Sequence, residues 1–103
     1  MSTVPKMPMN PQAVGIAWYR EENYTRLRDM FDDGEKLHPT FTGWQKAALA
    51  TKEKLENDGL VIYCVDIEPS EFADWCRNEE IKLNAEARNK YSSYMAYKQA
   101  IGK

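Results

Sequence analysis

The sequence has one histidine, two cysteines and no apolar run longer than residues 60–65, which Asp66 ends. Such a run is far below the roughly 20 residues that a membrane-crossing helix needs, so no integral membrane segment and no membrane partner are expected. With His38 alone, a catalytic triad or histidine metal cluster would need cysteines or carboxylates to converge on it, and no spacing in the chain does so. Cys64 and Cys76 form neither a disulfide framework nor a Cys-x-x-Cys motif, which points to a reduced, cytoplasmic protein whose cysteines act as small buried hydrophobes. Gly-x-Gly-x-x-Gly, Walker-type and Gly-x-Ser-x-Gly loops are missing as well. Residues 1–12 hold Pro5, Pro8 and Pro11 among methionines and polar spacers, with no continuous apolar stretch. They read as a flexible tail and not as a secretory signal.

What is there is 103 residues, 43% hydrophobic and 29% charged, enough for one modest core and one globular domain over residues 13–103. The net charge of −2 disfavours a phosphate-backbone binder. Charge is nonetheless unevenly placed. Residues 81–103 carry Lys82, Arg88, Lys90, Lys98 and Lys103 against Glu86, while residues 68–80 carry Glu68, Glu71, Asp74, Glu79 and Glu80 against Arg77. The simplest reading pairs these last two segments with each other.

Hydrophobic spacing divides the domain. Residues 14–19 are short, apolar and rich in β-branched and aromatic side chains, the pattern of a buried strand. Residues 20–33 switch to helical spacing, with Tyr24, Leu27, Met30 and Phe31 on one stripe, Glu21 and Glu22 in the first turn and Gly34 as the stop. After a connector containing His38-Pro39, Thr42 and Gln45 are spaced as a capping box for a second helix, whose stripe is Trp44, Ala47, Ala48, Thr51 and Leu55. Asn57-Asp58-Gly59 ends that helix, and residues 60–67 follow as a second buried strand. Pro69, with Glu71 behind it, opens a third helix lined by Phe72, Trp75 and Cys76 that ends near Glu80. Asn84 caps a fourth, with Ala87, Tyr91, Tyr94, Met95 and Ile101 inward. The expected class is α+β, or small α/β, in the order β-α-α-β-α-α. Two continuous apolar strands, covered on both faces, favour a parallel two-stranded sheet, while two intervening helices joined by a tight turn would instead return the chain antiparallel.

Candidate chemistry is sparse. Asp32, Asp33 and Glu35 fail the spacing of a calcium loop and read as a solvated helix end. Adjacent Glu21 and Glu22 point in different directions, so acid and base roles cannot be divided between them. No catalytic, cofactor-binding or metal-ligating residue is assigned, and no cofactor is expected. Aromatics are abundant at 12%. Trp18, Trp44 and Trp75 are expected to meet in the core at the strand ends, and Tyr97 to turn away from it.

Residues 16–24, Gly43-Trp44 before a helix, and residues 66–72 leading to Trp75-Cys76 resemble a set of small uncharacterised bacterial proteins. The resemblance spans residues 14–80. It implies a single cytoplasmic bacterial domain and carries no activity, cofactor or site residue with it.

The function expected from these features is a non-enzymatic interaction module. Its candidate surface for an unidentified protein partner is Trp18, Tyr19, Arg20, Glu22 and Glu68, where short strand-to-helix junctions hold polar groups rigidly. The alternative is weak single-stranded nucleic-acid binding through Arg88, Lys90, Tyr94, Tyr97 and Lys98 on the last helix. The oligomeric expectation is a monomer or weak homodimer.

Overall fold

A computed structural model describes residues 13–102; the expected flexible tail over residues 1–12 lies outside them. The elements are β1 (Ala13–Trp18), α1 (Glu21–Met30), α2 (Phe41–Asn57), β2 (Val61–Asp66), α3 (Pro69–Glu79) and α4 (Ala85–Ile101). A 3-10 turn over Gly34–Lys36 joins α1 to α2. The chain is thus an α+β domain in the expected order. Its strands pair parallel, in register from Ala13 with Val61 to Trp18 with Asp66. Beyond the strands, the Ile67 N–H donates to the Trp18 carbonyl at 2.9 Å.

Alternation along a strand puts Ala13, Gly15 and Ala17 on one sheet face with Val61, Tyr63 and Val65. This face meets α4. A Cβ added to Gly15 would lie 2.2 Å from the Ser92 carbonyl oxygen and 2.7 Å from Ala96 Cβ, so the missing side chain lets helix and strand touch backbone to backbone. The opposite face, with Val14, Ile16, Ile62 and Cys64, is only partly covered, and Cys64 is exposed. Full burial of both faces, expected from the sequence, is therefore corrected: two strands offer too little width for helices to close over both sides.

Capping explains most helix starts. Glu68 accepts from the Glu71 N–H at 2.8 Å, and Asn84 from the Ala87 N–H at 3.0 Å. At α2 the cap is Thr40 and not Thr42: the Gly43 N–H donates to Thr40 Oγ1 at 3.1 Å. Starting two residues earlier turns Phe41 inward, 5.9 Å from the Tyr24 ring and 5.5 Å from Trp44. The α2 stripe differs accordingly. Trp44 is buried and Ala48, Lys52 and Leu55 are half-buried, while Ala47 and Thr51 face solvent. Helix α1 stops at Met30 and α3 at Glu79, where Glu80 adopts a left-handed conformation (φ 59°) as its cap.

Helix α4 is also rotated from the expected stripe. Its buried residues are Ala87, Arg88, Tyr91, Ser92 and Ala96, whereas Tyr94 and Ile101 are exposed. The contact at Gly15 selects this face, since only small side chains such as Ser92 and Ala96 fit so close an approach.

Candidate functional site

The C-terminal ends of the parallel strands lead into α1 and α3. Here the expected partner surface is only partly free. Tyr19 is buried in a ring cluster, 4.7 Å from Trp44 and 6.0 Å from both Tyr24 and Phe31. Trp18 is half-buried and meets Trp44 edge-on at 5.2 Å. Arg20 is exposed but bridges Asp66 (Nε to Oδ1, 3.4 Å) and Glu22 (3.9 Å), and the Glu68 carboxylate is occupied as a helix cap. The junction therefore works mainly as a structural lock. Tyr19 in particular is core, because the bend after β1 turns its ring under α1.

The surface expected of the last helix is brought together except at Arg88. Lys90, Tyr94, Tyr97 and Lys98 share one outer face of α4 with Ile101, following helical spacing. Tyr94, Tyr97 and Ile101 are 47%, 52% and 54% exposed. Trp75 of α3 stacks on Tyr94 with ring centroids 6.5 Å apart and 26° between planes. Lys98 places its ammonium 5.2 Å from the Tyr94 ring centroid, within reach of the ring's negative face.

Arg88 points the other way and is 8% exposed. It holds Asp33 through two hydrogen bonds, Nη1 to Oδ1 at 2.9 Å and Nη2 to Oδ2 at 3.2 Å, and its guanidinium lies 4.3 Å from the Phe31 ring centroid. These hydrogen bonds hold the Asp33 carboxyl below the usual carboxylate range. Arg88 is thus withdrawn from the nucleic-acid surface, and Asp33 is withdrawn from the solvated helix end. A further hydrogen bond, from the Asp32 N–H to the Leu83 carbonyl at 2.7 Å, ties the α1–α2 connector to the loop before α4.

Two further expectations are corrected. Trp75 does not join Trp18 and Trp44; it packs with Phe72, Tyr91 and Tyr94, because α3 and α4 form their own aromatic cluster. The acidic and basic terminal segments pair only loosely among the described residues, through Lys90 and Glu79 at 3.9 Å. The sequence reading missed Trp75, together with Ile101, as members of the outer face. The i, i+3, i+4, i+7 series Tyr94, Tyr97, Lys98 and Ile101 was the available signal.

Cys76 is buried as expected, but Cys64 is exposed on the open face of the sheet; partial desolvation by neighbouring groups raises both thiols above their ordinary value, which disfavours either as a thiolate nucleophile at neutral pH. His38 is exposed, and its backbone carbonyl accepts the Tyr24 hydroxyl at 2.5 Å. Among the described residues, no three histidine, cysteine or carboxylate side chains gather as a metal cage. A cavity of about 260 Å³ opens at the start of α4, lined by Ile81, Ala87, Lys82, Lys90, Glu86 and the capping Asn84. No helix among the described residues is long and apolar enough to cross a membrane.

No family model, curated protein or solved structure matches this chain.

Proposed function

We propose that this protein is a small non-enzymatic interaction module, acting in the bacterial cytoplasm, that docks a protein partner on the outer face of α3 and α4. The observation that carries the reading is the clustering of Tyr94, Tyr97 and Ile101, three of the five large exposed hydrophobics among the described residues, on one helix face beside Trp75. Large rings held by a neighbouring stack lose little conformational freedom on binding, and Trp and Tyr are enriched among residues that dominate interface energies. The resemblance to small bacterial proteins and the lack of a disulfide framework support the cellular setting.

The test uses the full chain as bait in bacterial lysate, as wild type, as Tyr97→Glu and as Glu53→Lys, the last an exposed site on α2. A protein held by wild type and Glu53→Lys but lost with Tyr97→Glu is the expected result. Retention that ignores the Tyr97 change overturns the assignment of the face.

A second reading rests on the Lys98, Tyr94 and Trp75 stack, which has the form of a platform for the bases of a single strand. Its mark is quenching of tryptophan fluorescence by single-stranded DNA that weakens steeply with added salt. The neighbouring carboxylates of Glu71, Asp74 and Glu79 repel phosphate and favour the protein reading.

A further inference from the structure

Among the described residues, strand β2 has one neighbour, β1, and no strand on its other edge. A parallel ladder turns the N–H and C=O of alternate residues to the same side. Because the Ile67 N–H donates to the Trp18 carbonyl, Val61, Tyr63 and Val65 face β1, and Ile62, Cys64 and Asp66 turn their backbone groups outward. Among the described residues no other backbone group bonds to these three, and Cys64 and Asp66 are exposed. The outer edge of β1 is less accessible, since that strand is half-buried throughout and α4 lies against it at Gly15.

An open edge normally carries a guard, such as a lysine, a proline, a bulge or a covering element. The run Val-Ile-Tyr-Cys-Val of β2 holds neither lysine nor proline, and it pairs with β1 residue for residue, without a bulge. Lys52 and Glu56 of α2 stand near Cys64 yet leave it exposed. The first twelve residues of the chain do not suit the edge, because Pro5, Pro8 and Pro11 interrupt the donors that an added strand must offer. We infer that this edge pairs with β2 of a second copy, antiparallel about a two-fold axis perpendicular to the sheet, joining two two-stranded sheets into one of four strands.

Antiparallel pairing sets outward residues opposite outward residues. With the axis at Tyr63, Ile62 lies opposite Cys64 of the partner subunit, and the half-buried Tyr63 meets Tyr63 of the partner subunit on the α4 face of the sheet. Centring on Cys64 instead would set the Ile62 side chain against a carboxylate, that of Asp66 of the partner subunit, which favours the axis at Tyr63. Two strands alone are marginal, and four bring the sheet to an ordinary size. The ladder is short, so the dimer belongs to the small, transient class of interfaces and forms reversibly with concentration. It uses no residue of the α3–α4 docking face and stands apart from that reading.

Sedimentation of the full chain from low micromolar to near-millimolar concentration reads the association, and wild type is expected to pass from monomer to dimer. Amide exchange at the two ends of that range locates it. The Ile62 and Cys64 amides should exchange at least about tenfold more slowly in the dimer, while Val65, bonded to β1, is protected in both states. Cys64→Pro removes an outward N–H and no bond to β1, and Cys64→Lys places the usual guard on an exposed site; each should weaken association at least about tenfold. Circular dichroism checks that both variants keep the fold, and the lysine variant decides if the proline variant does not. Tyr97→Glu should leave the dimer unchanged. A wild type that stays monomeric overturns the inference, as does a dimer whose Ile62 and Cys64 amides stay unprotected. A dimer lost with Tyr97→Glu but kept with Cys64→Lys overturns it too, and moves the association to the α3–α4 face.

Discussion

The guanidinium of Arg88 faces the Asp33 carboxylate through two parallel hydrogen bonds while its plane covers Phe31. Two charges removed from water this far repay their desolvation only when both are present, so deleting one strands the other. Arg88→Ala is expected to cost roughly 2–4 kcal/mol at neutral pH, below the full penalty of a sealed pair because Asp33 keeps a fifth of its side chain exposed. The effect has a pH signature. Asp33 has a folded pKa below its unfolded value, so its contribution is complete above the unfolded value and fades as pH falls through the folded one. The gap in urea midpoint between wild type and Arg88→Ala should therefore shrink as pH drops below about 4, where a neutral carboxyl needs no cation. A gap independent of pH would show that Arg88 acts through its contact with Phe31 alone.

At the scale of the element, α2 shows how narrow a helix's attachment can be. Trp44 is its one buried residue among 17, and Leu49 is 50% exposed. Ala47 and Ala48 are adjacent and equally apolar, yet only Ala48 packs against the core. Ala48→Glu is expected to lower stability by about 1–3 kcal/mol through desolvation of a carboxylate, and Ala47→Glu to stay within about 0.5 kcal/mol. Urea midpoints of the two variants measure the difference, and equal midpoints would place the helix in another rotation. Lys52 also stands on the inner side, bonded to Glu56 at 2.8 Å, so Lys52→Glu exchanges an ion pair for a like-charge pair and should destabilise.

Across the whole molecule, burial of tyrosines sets the alkaline limit. Desolvation pushes Tyr19 up to about 12 and raises Tyr24 and Tyr91 as well. Unfolded tyrosines lose their protons near 10, while the folded protein retains that of Tyr19 well beyond. Stability from this group is thus complete below pH 10 and declines as pH rises toward 12. Tyr19 alone should remove about 2–3 kcal/mol across that window, at 1.36 kcal/mol per pH unit. Urea midpoints followed upward from neutral pH, with tyrosinate absorption recorded on the same samples, give the test. A constant midpoint accompanied by early ionisation of all tyrosines would mean that the ring cluster is open to water.

Element order was readable from the residues because strand and helix periodicities, Gly59, Pro69 and the Asn84 cap are local signals that act within a few positions, whereas strand direction was open, since it depends on the path of the two helices between the strands. Rotation of the helices was not readable. A helix carrying aromatic or aliphatic side chains around much of its circumference, as α4 does, has several apolar stripes, and periodicity alone does not rank them. The rank came from a strand distant in sequence: Gly15 leaves room for a backbone, so Ser92 and Ala96 turn inward, Arg88 swings to Asp33, and Tyr94, Tyr97 and Ile101 are left facing water. The separation of Trp75 from Trp18 and Trp44 has the same origin, since ring contacts between elements depend on where whole helices lie and not on spacing along one of them. Local chemistry decided what the pieces are, and long-range packing decided which of their faces remain free to bind.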